Sequence, residues 1–116
     1  MRAGERDLAR TKLDTEMRPF RGRVKERSDA LDLLRSVRQV LGIPAGEMAR
    51  ELGVNRSVLF RLEQSEERRT ITLKSMDRMA AVLGCTVVYG VVLRDGKTLA
   101  EMAERLQWMK RLETSE

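Results

Sequence analysis

The fold is decided by residues 45–63, which read AGEMARELGVNRSVLFRLE. Apolar residues recur at helical spacing on both sides of Gly53, a residue type that tolerates a positive φ angle. Ala49, four residues earlier, is small enough to let a second helix approach the first closely. The stretch therefore predicts two short helices that are joined by a tight turn and cross at a steep angle.

The second of these helices is predicted to have two chemically different sides. The inner side, together with the first helix and the turn, supplies an apolar clamp formed by Met48, Leu52, Val54, Leu59 and Leu62. The outer side near the helix start carries Arg56, Ser57, Phe60 and Arg61. An Arg fork fits guanine O6 and N7, a Ser hydroxyl can bond several base edges, and a Phe ring can lie on a thymine methyl group. We therefore predict that these four side chains read DNA bases. The alternative is that the two arginines are solvated charges paired weakly with Glu63 and Glu66.

A second set of donors follows the motif and suits the DNA backbone. It comprises Arg68, Arg69, Thr70, Thr72 and Lys74, at the entry to the next helix. The N-terminal amides of that helix would also face a phosphate. Asn55 is predicted to cap the second helix of the motif, because its side-chain oxygen can accept from a free amide there.

With these residues in place, the stretch resembles the Cro/repressor (XRE) helix-turn-helix family. The positions that match the pattern of that family are Ala49, Gly53, Val54, Leu59, Leu62 and Glu63. Ala45 departs from it, because the family often has Gln there, and this weakens an expected phosphate contact. Ser65 stands where Gly is frequent. The resemblance implies base-reading roles for Arg56, Ser57 and Arg61, and a phosphate contact for Asn55 beside its capping role.

Two segments beyond the motif look like a narrower family, mobile mystery protein A. They are residues 70–74, TITLK, and residues 83–89, LGCTVVY. The resemblance would cover about residues 5–110 and implies an XRE domain followed by a short strand and a C-terminal helix. It also implies association with a neighbouring Fic-domain protein, and hence a role like that of an antitoxin or an autoregulator.

Further helices are predicted on both sides of the motif. Residues 4–20 form an amphipathic pattern that Pro19 and Gly22 end, and the basic stretch 18–27 is either solvated or lies along phosphates. A helix capped by Ser28 carries Leu31, Leu34, Val37 and Leu41 on one side, with Arg35, Arg38 and Gln39 off that side. Thr72 opens another helix, which Gly84 ends. Thr98 and Glu101 have the spacing of a capping box for a final helix.

Residues 86–93 change the pattern, because they are apolar almost throughout and rich in β-branched side chains. We expect one strand there, covered on both faces, whose pairing residues are Val87, Val88, Tyr89, Val91 and Val92. A lone strand needs a partner, so two subunits would pair across a twofold axis and set their recognition helices ~34 Å apart. Cys85, at the strand start, is expected to be a buried small hydrophobe. Trp108 lies off the main stripe of the final helix and either faces a partner or packs in the core.

The expected fold is therefore mainly α. It is a repressor-like bundle of four to five helices, followed by one C-terminal strand in an intermolecular sheet and a final helix. The predicted divisions are a basic N-terminal helix or arm over 1–27, the XRE-type domain over 28–84, and a strand-helix dimerisation or partner extension over 85–116.

Composition supports a polyanion as the ligand. The chain of 116 residues has a formal charge of +5 and an isoelectric point near 10. Residues 1–27 hold nine basic and five acidic residues, so most of the excess lies there. With one cysteine and no histidine, the usual zinc-ligand clusters and the commonest general base are missing, and no Gly-rich phosphate loop is present. We expect no enzyme, no cofactor, no membrane segment and a cytoplasmic location.

The function predicted from these features is a homodimeric transcriptional regulator that reads a palindromic operator in double-stranded DNA and represses its own operon. The alternative is an antitoxin-like interaction protein that neutralises a neighbouring Fic-domain protein, with DNA binding secondary. RNA binding is a weaker reading, because the chain lacks the paired surface aromatics used for base stacking.

Overall fold

The computed structural model describes residues 1–24 and 32–114, and these residues are mainly helical, as predicted. The helices are α1 (Ala3–Arg21), α2 (Leu33–Val40), α3 (Ala45–Leu52), α4 (Arg56–Glu67), α5 (Leu73–Val82) and α6 (Leu99–Thr114). The chain divides into two units. One consists of Met1–Arg27 and Tyr89–Glu116, and the other of Ser28–Val88.

The turn between α3 and α4 forms as the sequence predicts. Gly53 ends α3 with a φ angle of 73°, in the left-handed region that glycine adopts without steric cost. The Val54 amide then donates to the Ala49 carbonyl at 2.9 Å, which closes the end of α3. Two residues later Asn55 begins α4, so the turn is as short as the spacing required.

The core of the Ser28–Val88 unit lies between α2, α3, α4 and α5. Its buried apolar residues are Leu34, Met48, Ala49, Leu52, Leu59, Met79, Ala80 and Leu83. Of the predicted clamp, Met48, Leu52 and Leu59 are buried, and Val54 and Leu62 pack against the core. The inner side of the motif is therefore confirmed.

The flanking helices also begin and end near the predicted residues. Thr72 caps α5 by accepting from the Ser75 amide at 3.1 Å, and Gly84 follows α5 with a φ angle of 73°. The predicted cap Ser28 and the stripe residue Leu31 lie outside the described residues. Asp32 stands at the start of α2 instead.

In the other unit, α1 packs against α6. Helix α1 continues past the predicted break at Pro19 to Arg21, and Gly22 follows its end. The proline removes one hydrogen bond from the ladder, and only two helical residues come after it. The Asp14 carboxylate accepts from the amides of Leu99 and Ala100 at 2.6 and 3.2 Å, so a side chain of α1 caps α6. The predicted capping box is confirmed as well: the Glu101 amide donates to Thr98 Oγ1 at 3.1 Å, and the Thr98 amide donates to Glu101 Oε1 at 3.4 Å.

The predicted C-terminal strand is wrong for the described chain. Residues 85–93 have no regular secondary structure, and no strand occurs within residues 1–24 and 32–114. The pattern suggested an apolar run covered on both faces. Val87 does pack against the core and Val92 is half-buried. In contrast, Val88, Tyr89 and Val91 are 77%, 69% and 71% exposed. A segment forms a sheet only when a second strand lies beside it and shares backbone hydrogen bonds with it. Cys85 is also exposed, contrary to the expected burial.

Candidate nucleic-acid interface

Helix α4 is fixed at its start and along its inner side. Asn55 Oδ1 accepts from the Val58 amide at 3.0 Å, which confirms the predicted cap. Leu59 is fully buried and Leu62 is partly buried against the core. The helix therefore cannot rotate about its axis without exposing Leu59, and its outer side has one defined direction.

The four predicted base-reading residues lie together on that outer side. Arg56, Ser57 and Arg61 are exposed, and Phe60 is exposed over 49% of its surface. Their spacing of one, four and five residues from Arg56 places them on one side of the first two turns. Among them, Arg56 is held against a neighbour, since its guanidinium lies over Gly46 in the first turn of α3.

The predicted backbone-binding residues follow the end of α4 and the start of α5, and all are exposed: Arg68, Arg69, Thr70, Thr72 and Lys74. The chain leaves α4 through a Schellman turn, in which the Thr70 amide donates to the Ser65 carbonyl at 2.8 Å and the Arg69 amide donates to the Glu66 carbonyl at 2.9 Å. Arg69 takes the left-handed position with a φ angle of 63°, which glycine usually fills. The turn thus presents an arginine at a strained backbone position.

An ion pair inside the domain ties α4 to α2. Arg38 Nε and Nη2 donate to Glu63 Oε2 and Oε1, both at 3.1 Å, and both side chains are buried. Arg38 Nη1 also donates to the Ile43 carbonyl at 3.2 Å. Glu63 therefore fixes α4 by pairing with a neighbouring helix. The sequence reasoning placed Arg38 off the buried side of α2 and therefore missed it as the partner.

A family model described as helix-turn-helix matches residues 34–89. The match spans α2 to α5 and the segment after them, and so contains the turn, the capped α4 and the buried ion pair just described. Residues 34–89 form a helix-turn-helix domain of the XRE type. No curated protein and no solved structure matches the chain.

The helix-turn-helix match supports a DNA-binding regulator, and α4 is the second helix of the motif. Within residues 1–24 and 32–114, no group of acidic or cysteine side chains is arranged to hold a metal ion. Nor does any helix of these residues have the length and apolar character needed to cross a membrane.

A second buried carboxylate of the helix-turn-helix domain was missed from the sequence. Glu66 Oε1 accepts from the Leu34 amide at 3.0 Å, so it caps the first turn of α2 from a neighbouring helix. Burial raises the pKa of Glu66, the Leu34 hydrogen bond opposes that rise, and the charges of Asp32 and Glu63 add to it. The available signal was its spacing, because Glu66 lies three residues after Glu63 and shares the buried side of α4.

Proposed function

We propose that the chain is a sequence-specific transcriptional regulator that reads its operator with the outer side of α4 and represses its own operon. One observation carries the proposal: α4 is locked by its Asn55 cap and by buried Leu59 and Glu63, so that Arg56, Ser57, Phe60 and Arg61 all face outward. A reading surface must be held rigidly to discriminate bases, because donors fixed in one place meet the edges of the matching bases and miss those of others.

In this proposal Arg56 and Arg61 donate to guanine edges in the major groove, and Ser57 bonds a neighbouring base edge. Phe60 contacts a thymine methyl group. Its exposure supports that role, because the ring would bury further apolar surface when DNA covers it. The two arginines also attract phosphates as the protein approaches.

The backbone contacts in this proposal come from Arg68, Arg69, Thr70, Thr72 and Lys74, with Asn55 contributing at the start of α4. Arg69 gives the strongest support within this set. A non-glycine residue at positive φ costs stability, and such strain is found where a side chain has a function. A hydrogen bond from the Arg69 guanidinium to a phosphate, at the end of α4, is a function that would favour arginine at this position despite the strain.

We propose that the regulator binds a palindromic operator as a homodimer. A helix-turn-helix domain of this size contacts one half-site, and two related domains double the number of bases read. The residues that support self-association are Tyr89 and Val91, whose exposed apolar side chains would gain free energy when covered. Equilibrium sedimentation should show a dimer at micromolar concentration, and the variant Tyr89→Asp with Val91→Asp should be monomeric.

The direct test of the function is binding to the duplex upstream of the coding sequence of the chain, compared with a scrambled duplex of equal length, at two salt concentrations. The proposal predicts a preference of at least about a hundredfold for the upstream duplex, weakened but not abolished by salt. Equal binding to both duplexes that vanishes at the higher salt concentration would contradict it.

A second candidate function rests on α6. Leu106, Trp108 and Met109 are 51%, 60% and 49% exposed, which is a large apolar surface for one helix. This favours an interaction protein that covers a partner, such as the neighbouring Fic-domain protein implied by the resemblance to mobile mystery protein A. DNA binding would then be secondary.

The two functions separate by residue. Arg56→Ala with Arg61→Ala should abolish preference for the upstream duplex and leave capture of a Fic-domain partner intact. Leu106→Ser with Trp108→Ser should have the opposite effect. If the α6 variant loses neither function, the interaction role is contradicted.

A further inference from the structure

Gly46 and Arg56 are in unusually close contact across α3 and α4. A Cβ atom built on Gly46 would lie 2.8 Å from Nη2, 3.0 Å from Nε and 3.3 Å from Cζ of Arg56. The two nitrogens lie closer than Cζ, so the guanidinium turns its Nε–Nη2 edge toward the glycine. An alanine at this position would force the guanidinium to move.

The glycine at position 46 is not explained by its backbone. Gly46 lies in the first turn of α3 and has no positive φ angle, unlike Gly42, Gly53, Gly84 and Gly96. At a helical position alanine is more stable than glycine, because glycine loses more backbone entropy on folding. The missing side chain therefore has a cost, and the close approach of Arg56 is the contact that an added Cβ would disturb.

We propose that Gly46 is a positioning residue that sets the direction of the Arg56 guanidinium and thereby the bases this protein prefers. The inference rests on the proposed function, since it assigns how one residue of the reading surface is aimed. Arg56 is exposed and lies at the first position of α4, where the helix itself restrains a long side chain little. Contact with Gly46 reduces the number of rotamers, so less entropy is lost when DNA binds.

The proposal predicts opposite effects of Gly46→Ala on folding and on DNA binding. Folding should be as stable as in the wild type or more stable, because the displaced group is the far end of a flexible side chain. Affinity for the upstream duplex should fall by about tenfold or more, as expected when a two-point base contact is misplaced. Gly46→Ala should weaken the preference for particular bases at the same base pairs at which Arg56→Ala weakens it.

A double-mutant cycle gives the decisive comparison. In the Arg56→Ala background, Gly46→Ala should change affinity by less than about twofold, because the side chain that it displaces is already gone. The matched control is Gly4→Ala, a helical glycine whose added Cβ meets no atom within 4 Å, and it should leave affinity unchanged. Unfolding curves of each variant report folding separately from binding.

Each outcome decides the matter. If Gly46→Ala leaves affinity unchanged while Arg56→Ala lowers it, or if both backgrounds lose affinity equally, Gly46 does not position Arg56. Failure of the proposed function is distinguishable, because the wild-type protein would then bind upstream and scrambled duplexes equally, and this would overturn the inference together with the function.

Discussion

Arg38 and Glu63 form a two-point ion pair inside the helix-turn-helix domain, with Nε–Oε2 and Nη2–Oε1 distances of 3.1 Å. The pair joins α2 to the inner side of α4, opposite the surface proposed to meet DNA. A planar guanidinium and a carboxylate match in this geometry, so the pair fixes both the separation and the rotation of the two helices.

Breaking this pair from one side should strongly destabilise the domain. Glu63→Ala leaves the Arg38 guanidinium buried without a counter-charge, and we expect a loss of about 3–5 kcal/mol in the free energy of unfolding, measured by urea denaturation. The control is the double variant Arg38→Met with Glu63→Leu, which removes both charges and should recover most of that loss. Equal destabilisation in the two variants would show that the burial of a lone charge is not the cause.

The raised pKa of Glu66 gives a pH dependence with a definite sign. Because the folded pKa is above the unfolded one, ionisation of Glu66 costs stability, and its favourable contribution is lost as pH rises through the folded pKa. Glu66→Gln keeps an oxygen for the Leu34 amide and cannot ionise. The unfolding free energy of this variant relative to the wild type should therefore increase from about pH 4, the ordinary pKa of a glutamate carboxyl, towards neutral pH. A difference that is constant over this range would contradict the assignment.

Asn55 should contribute separately to folding and to DNA binding. Asn55→Ala removes the acceptor of the Val58 amide and should cost about 1 kcal/mol in unfolding free energy. Asn55→Asp keeps the cap, so its stability should equal that of the wild type, but its charge repels phosphate and should weaken binding to the upstream duplex. Wild-type affinity of Asn55→Asp would exclude a phosphate near this residue.

Replacement of Arg69 should raise the stability of the domain and weaken its binding to DNA. Arg69→Gly relieves a positive φ angle of 63° and should raise the unfolding free energy by about 1 kcal/mol. The same variant should bind DNA more weakly and reduce the slope of log affinity against log salt by about 0.9, as expected for one lost phosphate contact. Arg69→Lys, which keeps the charge, should retain most of the slope.

The features that sequence predicted well are those decided by a few neighbouring residues. Gly53, Asn55, Thr72 and Gly84 set helix ends through their own backbone angles or side-chain bonds, and each lies where it was expected. The candidate reading surface could be predicted from the same residues. Once the ends and the apolar side of α4 are known, the side that faces outward is known as well.

The features that sequence missed depend on distant partners. The burial of Arg38 requires Glu63, which is 25 residues away, and the α1 residue Asp14 caps α6 from 85 residues away. Neither pairing leaves a local pattern. The strand predicted over residues 86–93 was wrong for the same reason, because a composition typical of strands does not supply a neighbouring strand.

If the outer side of α4 distinguishes bases, the protein has a high ratio of affinities for the upstream and scrambled duplexes. Arg61→Ala should reduce this ratio by about tenfold or more, because a base contact adds affinity to the matching sequence alone. Arg105→Ala, which removes an exposed arginine from α6, is the matched control and should leave the ratio unchanged. If Arg61→Ala lowers affinity for both duplexes equally, α4 contributes charge and not base recognition, and the account is wrong.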